Sequence, residues 1–75
     1  MAEAKQHQYV VCLHSGGYDI DLIVRKIYRV VEPHANDGGD EIRIVDESGE
    51  DYLYPRDWFA AVDLPQQAIE TLEAA

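Results

Sequence analysis

The segment Glu41 to Phe59, EIRIVDESGEDYLYPRDWF, constrains the fold more than any other part of the chain. On both sides of Gly49, apolar residues alternate with polar ones, which is the pattern of a strand with one buried face. Glycine readily adopts the positive φ that a short connection between two strands requires. The segment therefore predicts a β-hairpin with its tip around ESGE.

Pro55 and the residues after it predict how this hairpin ends. Proline has no N–H for a strand ladder, so the second arm is expected to end there. The stretch PRDWF is short enough for a single 3₁₀ turn. The following residues, AAVDL, then predict a last short strand.

Two earlier runs also predict strands. Tyr9 to His14, YVVCLH, is β-branched and aromatic and is followed by the turn sequence SGG. Asp21 to Val31, DLIVRKIYRVV, is richer still in valine, isoleucine and tyrosine, and we interpret it as one long strand that bends or changes faces midway. Glu32 to Asp40, EPHANDGGD, has the composition of an exposed loop.

The length of 75 residues predicts one domain over 1–75, with residues 1–7 disordered and a C-terminal helix over 64–75. Ala68, Ile69 and Leu72 share one helical stripe, and Pro65 falls in the first turn, where proline is tolerated. The chain has one cysteine and no apolar run of signal-peptide or membrane-span length. We therefore expect a cytoplasmic protein with no membrane association.

Negative charge is concentrated in the second part of the chain. The formal net charge is −9. From Glu32 onward the sequence contains twelve acidic residues and two arginines, for a net charge of −10. Such a surface repels the phosphate backbone, so direct nucleic-acid binding is not expected. Two interpretations stay open. The acids serve solubility, or Asp46, Glu47, Glu50 and Asp51 form a patch with which an acidic inhibitor mimics nucleic acid on a basic partner protein.

The hairpin and turn resemble a known family. DESG at the hairpin tip, followed by Pro55, Arg56, Asp57, Trp58 and Phe59, is similar to the distal hairpin and 3₁₀ turn of Src-homology 3 (SH3) domains. The chain also resembles a group of small bacterial proteins with the pattern RKIYRV, IRVIDESGEDYLYP and a terminal helix starting LP. The corresponding stretches here are Arg25 to Val30, Ile42 to Pro55, and Leu64 with Pro65. This resemblance implies a mainly β fold, a small SH3-like barrel of about five strands with a 3₁₀ turn and a short C-terminal α-helix. It implies no activity.

The SH3 resemblance also implies a binding shelf. In peptide-binding SH3 domains, the proline and the aromatic residue of the 3₁₀ turn help to form a groove for polyproline II ligands. Those positions are Pro55 and Trp58 here, whereas the opening Ala-Leu-Tyr-Asp-Tyr pattern and the paired tryptophans of that groove are missing. We therefore expect a non-catalytic adaptor module that binds a protein or peptide. The candidate contact residues are Tyr28, Tyr52, Pro55, Asp57 and Trp58.

The alternating pattern does not show whether these aromatic residues are buried or exposed. Tyr52 and Tyr54 share a strand face, and either complete burial in the core or an exposed aromatic patch fits the pattern. Tyr28, Tyr54 and Phe59 are expected to belong to the core.

No catalytic, metal or cofactor site is predicted. The hairpin carboxylates do not match an EF-hand loop, and alternation sends neighbouring side chains to opposite faces. Cys12 and His14 share a strand face, but two ligands do not make a zinc site, and a buried cysteine is the expected state. A barrel of this size is filled by its own side chains, which leaves no pocket for catalysis. The chain is expected to be a monomer or a weak homodimer.

Overall fold

The computed structural model describes residues 8–74 as five antiparallel strands in one sheet, a 3₁₀ turn and a short helix. The order along the sheet is β4-β3-β2-β1-β5. The predicted mainly β architecture is confirmed at this level. The elements are β1 Gln8–Cys12, β2 Ile27–Val30, β3 Glu41–Val45, β4 Asp51–Pro55, the 3₁₀ turn Arg56–Trp58, β5 Phe59–Val62 and α1 Gln66–Ala74.

The sheet is strongly curled, because its two edge strands are joined by one 3₁₀ turn. In a flat sheet, the four spacings between β4 and β5 would separate these edges by about 19 Å. A 3₁₀ turn of three residues advances only about 6 Å. The edges therefore approach each other at the turn, although among residues 8–74 no strand pairing closes β4 onto β5.

The hairpin of β3 and β4 forms as the alternation predicts. Ile42 lies opposite Tyr54 and Ile44 opposite Tyr52 in the register, and Gly49 has a φ of 87° in the connecting turn. Both isoleucines are buried. The hairpin, the 3₁₀ turn and β5 are therefore confirmed.

The core lies on the concave side of this curled sheet and takes residues from every strand. It includes Cys12, whose thiol donates to the carbonyl of His14 at 3.2 Å and whose pKa is raised by burial. The expectation of a buried cysteine is confirmed. The buried cluster comprises Val10, Cys12, Leu22, Tyr28, Ile42, Ile44, Tyr54 and Phe59, with Val30 and Trp58 packed against it.

The long strand predicted over Asp21 to Val31 is wrong in its first half. Only Ile27–Val30 pairs as a strand, and residues 13–26 form a loop between β1 and β2. Arg25 adopts a φ of 78° there, a left-handed conformation that no strand contains, and its N–H donates to the carbonyl of Cys12 at 2.8 Å. Leu22 is fully buried and anchors the loop to the core.

The helix α1 begins two residues later than predicted, after Leu64 and Pro65. The carbonyl of Pro65 accepts the N–H groups of Ala68 and Ile69. Ile69 is buried. Residues 1–7 and 75, where disorder and the end of the helix are predicted, lie outside the described residues. Within residues 8–74, no helix has the length and apolar character needed to cross a bilayer.

Candidate functional site

Three aromatic rings from three separate segments of the chain pack against one another. Tyr18 belongs to loop 13–26, Tyr54 to β4 and Trp58 to the 3₁₀ turn, and we refer to these rings as the aromatic cluster. The ring centroids of Tyr18 and Tyr54 are 5.8 Å apart, and each lies 6.1 Å from that of Trp58. Such pairs contribute about 0.5–1.5 kcal/mol beyond their burial. Tyr18 is 54% exposed and Tyr54 only 6%, so the cluster extends from the core to the surface.

The aromatic cluster lines an open groove with a volume of about 660 Å³, within the size range of ligand sites. Tyr52, Leu53 and Pro55 form further parts of its wall. Tyr52 is 49% exposed. We call this surface the aromatic groove. Its two charged lining residues, Asp21 and Glu41, are both carboxylates, so the groove combines apolar rings with negative charge.

Gly16 allows the loop backbone to touch the indole of Trp58. A Cβ atom at this position would overlap the Cη2 and Cζ2 atoms of the ring, and Gly16 has a φ of 56°. The main chain of the turn also holds the loop, since the carbonyl of Trp58 accepts the N–H groups of Leu13 and His14 at 2.7 and 3.3 Å. Only glycine fits this close approach.

A buried carboxylate fixes the wall of the groove that Tyr54 forms. The Tyr54 hydroxyl donates to Asp46 at 2.6 Å, and Ser48 donates to the same carboxylate through its N–H and its hydroxyl. Burial alone would raise the pKa of Asp46, but these hydrogen bonds outweigh it and lower the pKa. Burial and the bond to Asp46 raise the pKa of Tyr54. The hydroxyl of Tyr54 is thus engaged internally, and its ring faces the groove.

The four acids predicted as a surface patch are mostly engaged within the molecule. Asp46 is buried, so its inclusion in an exposed patch is wrong. Glu47 pairs with Lys26 at 2.6 Å, and Asp51 pairs with Arg43 at 3.2 Å. Glu50 is exposed and accepts a hydrogen bond from Tyr52.

The predicted contact residues have mixed outcomes. Tyr52, Pro55 and Trp58 line the aromatic groove together. Tyr28 is 5% exposed, so the expectation that it belongs to the core is confirmed and its place among the candidate contact residues is wrong. Asp57 lies beside Trp58 on a neighbouring depression and not in the groove. Sequence reasoning missed Tyr18, and the available signal was a tyrosine directly after two glycines in SGGYD.

The described part of the chain offers no metal centre. Among residues 8–74, no group of three or more histidine, cysteine, aspartate or glutamate side chains is arranged to hold a metal ion. Comparisons with protein-family models, with curated proteins and with solved structures found no match.

Proposed function

We propose that this chain is a non-catalytic protein-interaction module that binds an extended segment of a partner in the aromatic groove. The observation that carries this proposal is the pair of half-exposed tyrosines, Tyr18 and Tyr52, beside Pro55 and Trp58 in one open groove. Rigidly held, exposed aromatic rings are frequent anchors at protein interfaces, because they bury a large area at little entropic cost.

The lining of the groove indicates the chemistry of its ligand. Aromatic rings and a proline accommodate apolar residues, and an extended proline-containing peptide loses little entropy on binding. The carboxylates of Asp21 and Glu41 add an attraction for a lysine or arginine in the ligand. The net charge of −9 increases the rate at which a cationic partner is encountered. We therefore propose a peptide in which apolar residues neighbour a basic one.

We also propose that the sheet is an SH3-like barrel. The order β4-β3-β2-β1-β5, the strong curl and the 3₁₀ turn between the edge strands support this proposal. Pro55 and Trp58 lie at the turn positions on which the sequence resemblance rests. The cytoplasmic setting and a monomer or weak homodimer stay predictions from the sequence.

The alternative function, an acidic inhibitor on the nucleic-acid site of a basic protein, rests on the net charge of −9. The internal engagement of Asp46 and Glu47 weakens this alternative, because their carboxylates already have hydrogen-bond or ion-pair partners in the free protein. It predicts binding that depends on Glu50 and Asp51 and that disappears with salt.

The test is selection of peptides from a random display library, followed by affinity measurements on the wild type and on Tyr18→Ala. Trp58 is the single tryptophan, so its fluorescence reports occupancy of the groove directly. We expect Tyr18→Ala to weaken binding by about tenfold or more, as truncation of an aromatic anchor does. Leu72→Ala is the matched control, because Leu72 is a large exposed apolar residue on α1.

The proposal is wrong if selected peptides bind Tyr18→Ala as tightly as the wild type, or if selection yields no peptide that changes Trp58 fluorescence. Binding lost in Glu50→Gln and Asp51→Asn, and kept in Tyr18→Ala, supports the acidic inhibitor. The salt dependence of the affinity provides an independent check, since apolar anchoring persists at high ionic strength.

A further inference from the structure

Glu47 ties the turn between β3 and β4 to the loop that carries Tyr18. Its Oε2 atom accepts the Tyr28 hydroxyl at 2.6 Å and lies 2.6 Å from Nζ of Lys26. Its backbone N–H donates to the carbonyl of Asp21 at 2.9 Å. Glu47 therefore makes three separate contacts: two with loop 13–26, at Lys26 and Asp21, and one with β2, at Tyr28.

The hydroxyl of Tyr28 connects the carboxylate of Glu47 to the backbone of the loop. Its hydroxyl accepts the N–H of Ile23 at 2.8 Å and donates to Glu47. Burial and the bond to Glu47 raise the pKa of Tyr28, which keeps the hydroxyl protonated as a donor. The contacts of Glu47 thus hold the backbone on both sides of Leu22, the fully buried residue of the loop.

Neighbouring acids of one turn thereby anchor the two walls of the aromatic groove. Asp46 holds the hydroxyl of Tyr54, whereas Glu47 holds the loop on which Tyr18 lies. Glu47 itself is not among the residues that line the groove.

We propose that Glu47 is a positioning residue of the aromatic groove, whose carboxylate fixes loop 13–26 so that Tyr18 stays against Tyr54 and Trp58. The effect on binding rests on the proposed function, whereas the position of the loop is a property of the free protein. An ion pair with a half-exposed lysine contributes little to global stability, so its loss acts mainly on the loop.

The first experiment compares Glu47→Gln with the wild type by NMR in the absence of ligand. Glutamine preserves the size of the side chain and an acceptor for Tyr28, and it removes the negative charge that forms the ion pair with Lys26. We expect the contacts between the rings of Tyr18 and Trp58 to disappear and the amides of residues 15–22 to become mobile, while the amides of the sheet keep their shifts. Peptides that bind the groove should bind about fivefold more weakly.

Glu50→Gln is the matched control, because it removes the same charge from the same turn. The side chain of Glu50 accepts a hydrogen bond from Tyr52 on β4 and not from loop 13–26. We expect this variant to keep the contacts between Tyr18 and Trp58. Equal loss in both variants would assign the effect to net charge and overturn the proposal.

An acid titration of the wild type tests whether the position of the loop depends on the charge of Glu47. Hydrogen bonds from Lys26 and Tyr28 lower the pKa of Glu47, so its protonation, and release of the loop, should follow at acidic pH. Asp46 and Asp21 also lie nearby and are retained in Glu47→Gln. We therefore expect an acid-dependent loss of the Tyr18 contacts in the wild type and no such transition in Glu47→Gln.

Each outcome decides between these possibilities. Ring contacts that persist in Glu47→Gln overturn the proposal. If Glu47→Gln does not fold, the wild-type titration decides, because loss of the Tyr18 contacts before the sheet amides supports positioning and their simultaneous loss contradicts it. A wild type that binds no peptide, but whose loop responds as expected, would refute the proposed function and leave the role of Glu47 in loop position intact.

Discussion

The two long loops on either side of β2 are built differently. Loop 13–26 precedes β2 and loop 31–40 follows it. The first contributes most of the exposed large apolar side chains among the described residues, and the second contributes none of them. Those of the first loop are Leu13, Tyr18, Ile20, Ile23 and Val24.

The tethers of the two loops differ as well. Arg43 holds loop 31–40 by a bidentate fork, with its Nε and Nη2 atoms donating to Asp37 at 3.0 and 2.9 Å. Loop 13–26 has no such fork: its middle is held by buried Leu22 and the carboxylate of Glu47, and its ends by backbone hydrogen bonds to Trp58 and Cys12. A large contiguous apolar patch on a protein surface often marks an interaction site. Under the proposed function, loop 31–40 serves the fold and loop 13–26 serves recognition.

The largest effect should come from breaking the contact between loop 13–26 and Trp58. In Gly16→Ala, the new methyl group overlaps the indole, and alanine is strained at a φ of 56°. We expect a loss of about 2–4 kcal/mol in the free energy of unfolding, together with displacement of Trp58 from the groove. Urea unfolding followed by circular dichroism and the emission maximum of Trp58 measure the two effects.

Gly17→Ala separates the clash from the backbone strain. Gly17 has a φ of 92°, but a Cβ atom there meets nothing within 4 Å. We expect this variant to lose only about 1–2 kcal/mol and to keep the emission of Trp58. Equal losses in the free energy of unfolding in Gly16→Ala and Gly17→Ala would show that backbone strain, and not contact with Trp58, explains the need for glycine at position 16.

The sequence predicted the parts of the fold that local rules determine. The β3–β4 hairpin, the positive φ of Gly49, the 3₁₀ turn and β5 depend on alternation, glycine and proline within a few residues. The strand over Asp21 to Val31 was wrong, because β-branched composition does not reveal the left-handed backbone of Arg25 or the anchoring of Leu22. Those features depend on contacts with distant strands.

The site was predictable only in part, for the same reason. Pro55 and Trp58 are neighbours in sequence and lie together in the groove. Tyr18 reaches it through the close approach at Gly16, which no periodicity indicates. Tyr28 fits either the core or a contact surface in the strand pattern, and Asp46 looks like a surface residue in a polar turn. Tertiary hydrogen bonds satisfy the polar groups of both residues in buried positions.

A smaller effect, with groove function preserved, is expected from releasing loop 31–40. The hydrogen bonds from Arg43 lower the pKa of Asp37 from 3.8 to about 2. A pKa depressed by folding contributes stability that is present above pH 3.8 and is lost as the pH falls towards 2. We expect Asp37→Asn to lower the melting temperature at neutral pH and to differ little from the wild type near pH 2.

Thermal unfolding of both proteins between these pH values measures the effect, and Trp58 fluorescence with a groove peptide is measured in parallel. Because Asp37 contacts Arg43 and His34 and does not line the groove, peptide affinity should be unchanged. Loss of peptide binding in Asp37→Asn would contradict the division of roles between the loops.

The smallest effect on stability is expected at Ile20, and it tells which apolar residues of loop 13–26 take part in recognition. Ile20 is 88% exposed and is not among the residues that line the groove. We expect Ile20→Ser to change the free energy of unfolding by less than about 0.5 kcal/mol and peptide affinity by less than about twofold. Tyr18→Ala, two residues away, should have a larger effect on stability, because it removes two ring contacts, and a large effect on affinity. If Ile20→Ser weakens binding as Tyr18→Ala does, the ligand must contact Ile20 directly. The recognition surface would then extend from the groove over the tip of the loop.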